Sequence, residues 1–301
     1  MINHREIQYL LTIYQEKSIS AAARKLFISQ PALSKMITKL EEEIGAPLFI
    51  RESGGVYLTN EGKVYIDGCL KVKGIYDSVQ SEIADLQDEK KGKITLGISS
   101  RTSSFILPPI LEAFKQAYPL VELSLVEENI AELEQLAITG QVDLALTYYN
   151  TNPNLEYKFL AKDPVYLVAP PNYYKSQTDW HFGIENSLLK PEELEGKPMI
   201  LLKKGKGMRK TADLFFTQNA VTPHIILETN SIHLAYNLVQ NDKGFTFLPG
   251  VAVKSLHQLK PGVFYQMQDY IMERNFYACY RKGSYLSPSI RYLIQLIAQL
   301  L

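Results

Sequence analysis

Cysteine is scarce in this sequence. Cys69 and Cys279 are the only two among 301 residues, far apart and in neither a CxxC nor a Cys/His metal spacing. That excludes a disulfide-stapled scaffold and gives no support to structural zinc. Long apolar runs are missing as well. No stretch of about 18 apolar residues occurs, and Arg291 interrupts the apolar C-terminal tail, so no spanning helix is expected. The opening MINHREIQYLLTIYQEKS is broken by Arg5, Glu6 and Glu16 and does not read as a secretory signal, so a cytoplasmic protein without a membrane partner is expected. Catalytic signatures are lacking too. His4, His181, His224, His233 and His257 show no metal spacing and no neighbouring nucleophile, and GxSxG, HExxH and GxGxxG do not occur. The expectation is therefore no enzyme, no metal and no cofactor. What remains is an ordinary globular composition, 46% apolar and 21% charged, in a chain long enough for two or three domains.

A surplus of one charge sign is also absent, with 32 Lys and Arg against 32 Asp and Glu. Taken alone, that balance argues against a polyanionic partner. The local distribution reverses it. Between Lys17 and Leu40 stand Lys17, Arg24, Lys25, Lys35 and Lys39 without a single acid, and the basic window stops at Glu41-Glu42-Glu43.

That window parses into two short helices. Ser18 is placed to cap the first, whose Ala21, Ala22, Ala23 and Leu26 permit close packing. A turn falls near Phe27-Ile28. Ser29 then caps a second helix with Pro31 in its first turn, where a missing N–H costs nothing. Leu33, Met36 or Ile37, Leu40 and Ile44 recur at helical spacing and are expected to face inward. The other face carries Gln30, Ser34, Lys35, Thr38 and Lys39, the residue types that reach base edges and phosphates in a major groove. Such a face alone is usually just a solvated surface. Its context changes the reading. A helix with Ile7, Leu10, Leu11 and Tyr14 precedes the pair, and PLFIRESGGVYLT follows as a hairpin turning at Gly54-Gly55, which makes a winged helix-turn-helix.

At this point the sequence closely resembles the LysR-type transcriptional regulator family. The resemblance rests on Ala22-Ala23 with Leu26, Ser29-Gln30-Pro31-Ala32-Leu33-Ser34, Leu40-Glu41-Glu42-Glu43, Gly45, Leu48-Phe49, Arg51, Leu58-Thr59 and Gly62. It implies a recognition helix from Gln30 to Lys39, with Gln30, Ser34 and Lys35 nearest the bases, Ser29, Pro31, Thr38 and Lys39 also on the DNA side, and Arg51 of the wing on the backbone. Ile50 departs from the acidic or polar residue that family members often carry there, and is expected to tune wing packing.

From Asn60 to Glu89 the chain is polar but periodic. Tyr65, Cys69, Val72, Tyr76, Val79, Ile83 and Leu86 alternate steps of four and three, an a/d seam. A helix buried within one domain shows the same pattern. The favoured reading is a self-associating linker helix, and the resemblance implies the same, giving a homodimer or homotetramer with paired DNA-reading heads. Cys69 on this seam reads as a small hydrophobe before it reads as a redox switch.

Asp88-Glu89-Lys90-Lys91-Gly92 marks a boundary, after which strands and helices alternate. KITLGIS, VELSLVE and VDLALTY are read as parallel strands around helices SSFILPPILEAFKQAY and NIAELEQLAITG. A second series follows: YLVAP, PMILL, a helix near Met208–Asn219, HIILE, a helix near Ser231–Asn241, and GFTFLP. Two lobes result, joined near residues 161–166 and 265–270, with a final helix from Ser287 returning to the first lobe. The segment resembles the LysR-type co-inducer domain, whose fold is that of periplasmic solute receptors, through Gly97, Leu107-Pro108, Phe114, Tyr118-Pro119, Gly140, Asp143-Leu144-Ala145, Glu228, Gly244 and Leu248-Pro249.

In open parallel sheets ligands bind at carboxyl ends of strands, beside helix N-termini. Ser99, Ser100, Arg101 and Thr102 lie at such a place, with Ser103 and Ser104 as helix-capping hydroxyls. Glu128, Thr147, Lys203, Lys204, Thr229, Asn230 and Ser231 follow the other strands and match the family's effector cleft by position. The run Lys203–Lys210 lacks the GKS or GKT ending of a phosphate loop. It is either a solvated basic loop or a positive wall, and the second reading points to an anionic effector such as a carboxylate.

The expected fold is thus an N-terminal all-α winged helix-turn-helix over 1–59 (helix-turn-helix 18–37), a linker helix over 60–89, and a two-lobed α/β periplasmic-binding-protein-like effector domain over 92–301. Lobe 1 takes about 92–161 and 268–301, and lobe 2 about 162–267. The expected function is sequence-specific transcriptional regulation controlled by a small metabolite. Partners are double-stranded promoter half-sites, a second copy of the chain, the effector and RNA polymerase. The alternatives are a cytoplasmic solute-binding receptor, which leaves the first 90 residues unexplained, and a dimeric scaffold that does not read sequence.

Overall fold

A computed structural model describes residues 4–86, 91–174, 183–204, 207–259, 263–267 and 272–301. The N-terminal head packs α1 (His4–Glu16), α2 (Ile19–Lys25) and α3 (Gln30–Ile44) under a hairpin of β1 (Phe49–Glu52) and β2 (Gly55–Leu58). The caps fall where the sequence places them. Ser18 Oγ accepts from the Ala21 N–H at 3.2 Å and Ser29 Oγ from the Ala32 N–H at 3.4 Å, each satisfying a donor that the helix leaves free. Leu33, Ile37 and Leu40 are buried against Ile13, Ala22 and Ala23 or Leu10 and Leu11. Ile44 is not: at the last turn of α3 it is 38% exposed, because the helix has run past the core there. The hairpin turn is Ser53-Gly54 rather than Gly54-Gly55. Gly55 opens β2, and the next N–H, that of Val56, reaches back 2.9 Å to the Lys17 carbonyl. Glu41 ties the wing to α3, its Oε1 accepting from the Leu48 and Phe49 N–H groups at 2.6 and 3.1 Å.

Thr59 Oγ1 accepts from the Gly62 N–H at 2.8 Å and so caps α4 (Asn60–Leu86). Gly62 is required by crowding, since a Cβ there would lie 2.0 Å from the Leu48 carbonyl oxygen. The apolar seam of α4 divides in two. Cys69 is buried within its own chain beside Ile7, Leu10, Leu11 and Ile66, with Tyr65 packed at the margin, because the first turns of α4 lie against α1. Val72, Tyr76, Val79, Ile83 and Leu86 are exposed on the single chain, at 44–83%. Residues 87–90 of the linker and boundary lie outside the described residues.

The effector domain begins with β3 (Gly92–Ile98), α5 (Ser100–Ala117), β4 (Val121–Glu127), α6 (Ile130–Thr139) and β5 (Leu144–Thr147). β3 pairs in parallel with β4 and β5, the strands being joined by the helical crossovers α5 and α6. Pro108 and Pro109 sit inside α5. The sheet is not wholly parallel. β6 (Leu155–Ala169) is one long strand that runs from this lobe into the next. β12 (Glu273–Arg281) pairs antiparallel with both β5 and β6. Lobe 2 adds α7 (Pro171–Tyr174), β7 (Gly183–Leu189), β8 (Pro198–Leu202), α8 (Gly207–Gln218), β9 (His224–Thr229), α9 (Ile232–Gln240), β10 (Thr246–Pro249), α10 (Gly250–Leu259) and β11 (Val263–Met267). β10 and β11 pair antiparallel with the far half of β6, while β8 and β9 form a separate parallel pair. The last helix, α11 (Pro288–Leu300), returns to lobe 1. Its Leu293, Ile294 and Ile297 join Phe114, Leu96 and Phe276 in one core, and Phe215, Tyr236, Phe264 and Met199 anchor the other. The second lobe crossing is expected at 265–270, of which 268–270 lie outside the described residues.

Cys69 and Cys279 are free and buried. Burial pushes the Cys69 thiol up to about 11, and burial with nearby Glu134 pushes that of Cys279 up to about 12. Both stay protonated at neutral pH, and the nucleophile is the thiolate. Iodoacetamide should therefore label neither in the native chain and both after unfolding, as counted by intact mass. Ready labelling of native Cys69 would show that α4 leaves the head far more easily than its packing indicates.

Candidate functional site

Two surfaces carry functional chemistry. On the head, the outward face of α3 presents Gln30, Pro31, Lys35, Thr38 and Lys39 exposed and Ser34 half-buried, with Ser29 at its N-terminus. Ser20 Oγ donates to Gln30 Oε1 at 2.9 Å, which holds the carbonyl end of that amide and turns its donor end outward. Thr38 Oγ1 is bonded back to the Ser34 carbonyl at 3.1 Å. Lys39 has a loose partner in Glu43 at 3.7 Å. Arg51 is exposed on β1, opposite Val56 in the hairpin. All eight residues expected on the DNA side thus stand on one helix face and the neighbouring wing.

The second surface is a cleft of about 510 Å³ between the lobes, a size suited to a small molecule. Ser99, Arg101 and Thr102 line it at the N-terminal end of α5. Ser99 and Thr102 share a hydroxyl–hydroxyl bond of 2.8 Å, and Ser99 makes no side-chain cap. Ser103 and Ser104 bond back to the Ser100 and Arg101 carbonyls and serve the helix.

The other residues expected there lie elsewhere, each for a local reason. Ser100 and Glu128 are exposed outside the cleft. Thr147 is fully buried, with Oγ1 accepting from the Tyr149 N–H at 3.2 Å. Thr229 accepts from the Ser231 N–H at 3.0 Å, Ser231 caps α9, and Asn230 sits in the bend between them. Lys203 and Lys204 are exposed beyond the cleft wall. Within the same basic run Gly205 and Lys206 lie outside the described residues, and so does His181. Arg209 is turned inward to Asp213, Glu228 and the Leu202 carbonyl. Among the described residues of that run, Lys210 is the one cation that lines the cleft, beside Gly207 and Met208.

Among the described residues the cations lining the cleft are Arg101, Lys210 and Arg274, the last on β12 and not foreseen. Arg274 is paired with Asp163, a residue only 2% exposed on β6, and its guanidinium carbon stands 3.9 Å from the centre of the Tyr148 ring. Its Nε is buried without a hydrogen-bond partner. Burial alone would weaken the Arg274 cation, but Tyr148 and Asp163 outweigh it and hold its pKa above the ordinary value. Arg101 is held below the ordinary value by burial and by the like charge of Arg274. Burial pushes the Tyr148 hydroxyl up to about 12, so it remains a donor at neutral pH. Phe105, from α5, packs into the lobe 2 core and stacks on His233 at 5.3 Å between ring centres, closing one side. Met208, Leu214, Ile232 and Val251 give the opposite wall an apolar character.

Among the described residues no group of three His, Cys, Asp or Glu side chains can hold a metal ion, and no helix is long and apolar enough to cross a membrane.

Residues 4–63 match the family described as bacterial regulatory helix-turn-helix protein, lysR family, and residues 87–301 match the LysR substrate binding domain. The chain is similar to the uncharacterized HTH-type transcriptional regulator YcgK of Bacillus subtilis, with 29% identity over 96% of this chain and 92% of that one. It is also similar to the HTH-type transcriptional activator CmpR of Synechocystis, with 25% identity over 94% and 90%. Among solved structures, a full-length OxyR variant from Pseudomonas aeruginosa aligns over 100% of this chain and 94% of that chain, with a TM-score of 0.75 at 23% identity. CbnR complexed with its target DNA aligns over 100% of both, with a TM-score of 0.65 at 17% identity. These two likenesses are of fold.

Proposed function

This chain belongs to the LysR family of DNA-binding transcriptional regulators, and from that membership we propose that it is controlled by a small anionic metabolite bound between its lobes. In this reading residues 1–59 form the DNA-reading head, 60–89 the linker and 92–301 the sensor. Gln30, Ser34 and Lys35 face bases, Ser29, Pro31, Thr38, Lys39 and Arg51 flank them, and the protein works in the cytoplasm beside its DNA. The exposed stripe Val72, Tyr76, Val79, Ile83 and Leu86 pairs two linkers, so that two heads meet two half-sites and bring RNA polymerase within reach.

One observation carries the choice of ligand. Two guanidiniums, Arg101 and Arg274, face one cleft, repel each other, and leave an N–H of the second unpartnered. A carboxylate between them removes the repulsion, and the Ser99 and Thr102 hydroxyls line the same cleft beside it. The apolar wall then takes a hydrocarbon or aromatic body.

The same elements reach the linker. The N-terminal end of α6, from Asn129 to Ala131, lines the cleft, and its C-terminal Gly140 touches Gly74 of α4, where a Cβ on Gly140 would lie 3.0 Å from the Gly74 Cα. β12 lines the cleft with Arg274, Asn275 and Tyr277, and at its other end Arg281 Nη1 donates to the Lys71 carbonyl of α4 at 3.0 Å. Lobe closure on a ligand is thus passed along two rigid elements to the helix that carries the heads, provided the ligand binds the closed state more tightly.

A melting-temperature screen with small mono- and dicarboxylates, amines and neutral sugars tests this. A carboxylate at about a hundred times its Kd should stabilise the chain by about 2.7 kcal/mol, and Arg101→Met should remove the shift. Stabilisation by an amine or a sugar, with every carboxylate silent, would sink the reading.

A further inference from the structure

Phe27 is the most exposed large apolar side chain among the described residues, at 95%. Its backbone sits at φ +56, in the left-handed region that L side chains avoid and that glycine and asparagine tolerate. Its N–H is anchored to the Arg24 carbonyl at 3.1 Å, so the turn is fixed, yet no ring contact or cation stacks on the phenyl group among the described residues. The chain thus holds a bulky apolar ring in a backbone geometry that opposes it, at a place where nothing internal rewards it. The position is specific. Phe27 lies two residues ahead of Ser29, the cap of α3, on the rim of the face that presents Gln30 and Pro31. In the sequence around it, Arg24, Lys25 and Lys35 stand in a window without acids, although Lys25 is paired with Glu16 of α1 at 2.6 Å. That charge repels a second copy of the same surface and attracts a polyanion.

We propose that Phe27 is a DNA-contacting residue, its ring laid on an apolar patch of the duplex, a thymine methyl or the deoxyribose face, where α3 enters the groove. This rests on the reading of α3 as the DNA-facing helix. The contact anchors the N-terminal end of that helix and gives the protein a readout that its polar residues cannot supply, because a methyl group offers no hydrogen bond.

Phe27→Asn separates this role from folding, since Asn suits a left-handed turn better than Phe and removes an exposed ring. The probe is a duplex enriched from a random-sequence pool by the wild-type full chain, used with and without uracil in place of thymine. Phe27→Asn should melt no lower than wild type yet bind the enriched duplex about tenfold more weakly. If uracil weakens wild type and not the variant, the patch is a thymine methyl. If uracil changes neither while the tenfold gap persists, the patch is deoxyribose. Equal affinity of Phe27→Asn and wild type, alongside a weakened Gln30→Ala control, overturns the proposal and leaves the reading of α3 intact. Equal affinity of both variants overturns the reading of α3 itself, and the proposal falls with it.

Discussion

Ser34→Glu should abolish sequence-specific DNA binding, lowering affinity for an enriched duplex at least about a hundredfold, with like charges brought together at several kcal/mol. Ser34 stands in the middle of the outward face of α3, one residue from Lys35 and one turn from Gln30. Its side chain makes no bond on which the helix depends, since the bond at that residue runs from Thr38 Oγ1 to the Ser34 carbonyl. A carboxylate there meets phosphates and the acceptor-rich edges of guanine and adenine. Folding should be nearly untouched, within about 0.5 kcal/mol, as for surface substitutions in general. A mobility shift with excess nonspecific competitor measures the loss, and a melting curve shows that the head is intact. Retained specific binding by a folded Ser34→Glu chain would place the recognition surface elsewhere. Specific binding that wild type also lacks, with equal salt-sensitive affinity for all DNA, would favour the scaffold alternative.

How much of this could be read from the sequence depends on the range of the interaction. Helix ends in the head are legible because a cap is a bond between residues three apart, and Ser18, Ser29 and Pro31 announce them locally. The residues proposed to face DNA fall on one surface for the same reason: one helix carries nearly all of them. β6 is harder. It contains Asp163-Pro164, which reads as a breaker, so only its far end, from Tyr166, looks like a strand. In the fold that dipeptide sits where β6 passes from one lobe to the other, and the Asp163 charge is met by Arg274, 111 positions away. The cleft suffers most from this. Lys203 and Lys204 announce a basic wall in the sequence, but their direction is set by β8 and β9, and they point away. The α4 seam shows a related limit. Its period foretells an apolar stripe, but not that Cys69 would be taken up by α1 before the stripe reaches a partner.

Arg274→Met should destabilise the effector domain by about 3–5 kcal/mol, the cost of leaving a buried charge alone, and lower its melting temperature by about 10 °C. Asp163 is 2% exposed, and with Arg274 gone it keeps only neutral donors, the Val251 N–H at 3.0 Å and the Tyr148 hydroxyl. Adding Asp163→Asn should restore most of the loss, because the amide oxygen can still accept from Val251 while the charge disappears. The double variant then isolates the ligand role. If Arg274 serves only to neutralise Asp163, the repaired chain responds to carboxylates as wild type does. If it also holds the anion, the chain melts normally and shows no carboxylate shift. Arg101→Met calibrates the comparison. Arg101 is disfavoured by burial and by Arg274, so its removal should cost no stability while it erases the same shift. Loss of response in Arg101→Met and in the repaired double variant, at normal stability in both, is the outcome that two guanidiniums sharing one anion require. A carboxylate response surviving in either would leave the cleft with a single anchoring cation, and Lys210 is then the remaining candidate on the facing wall.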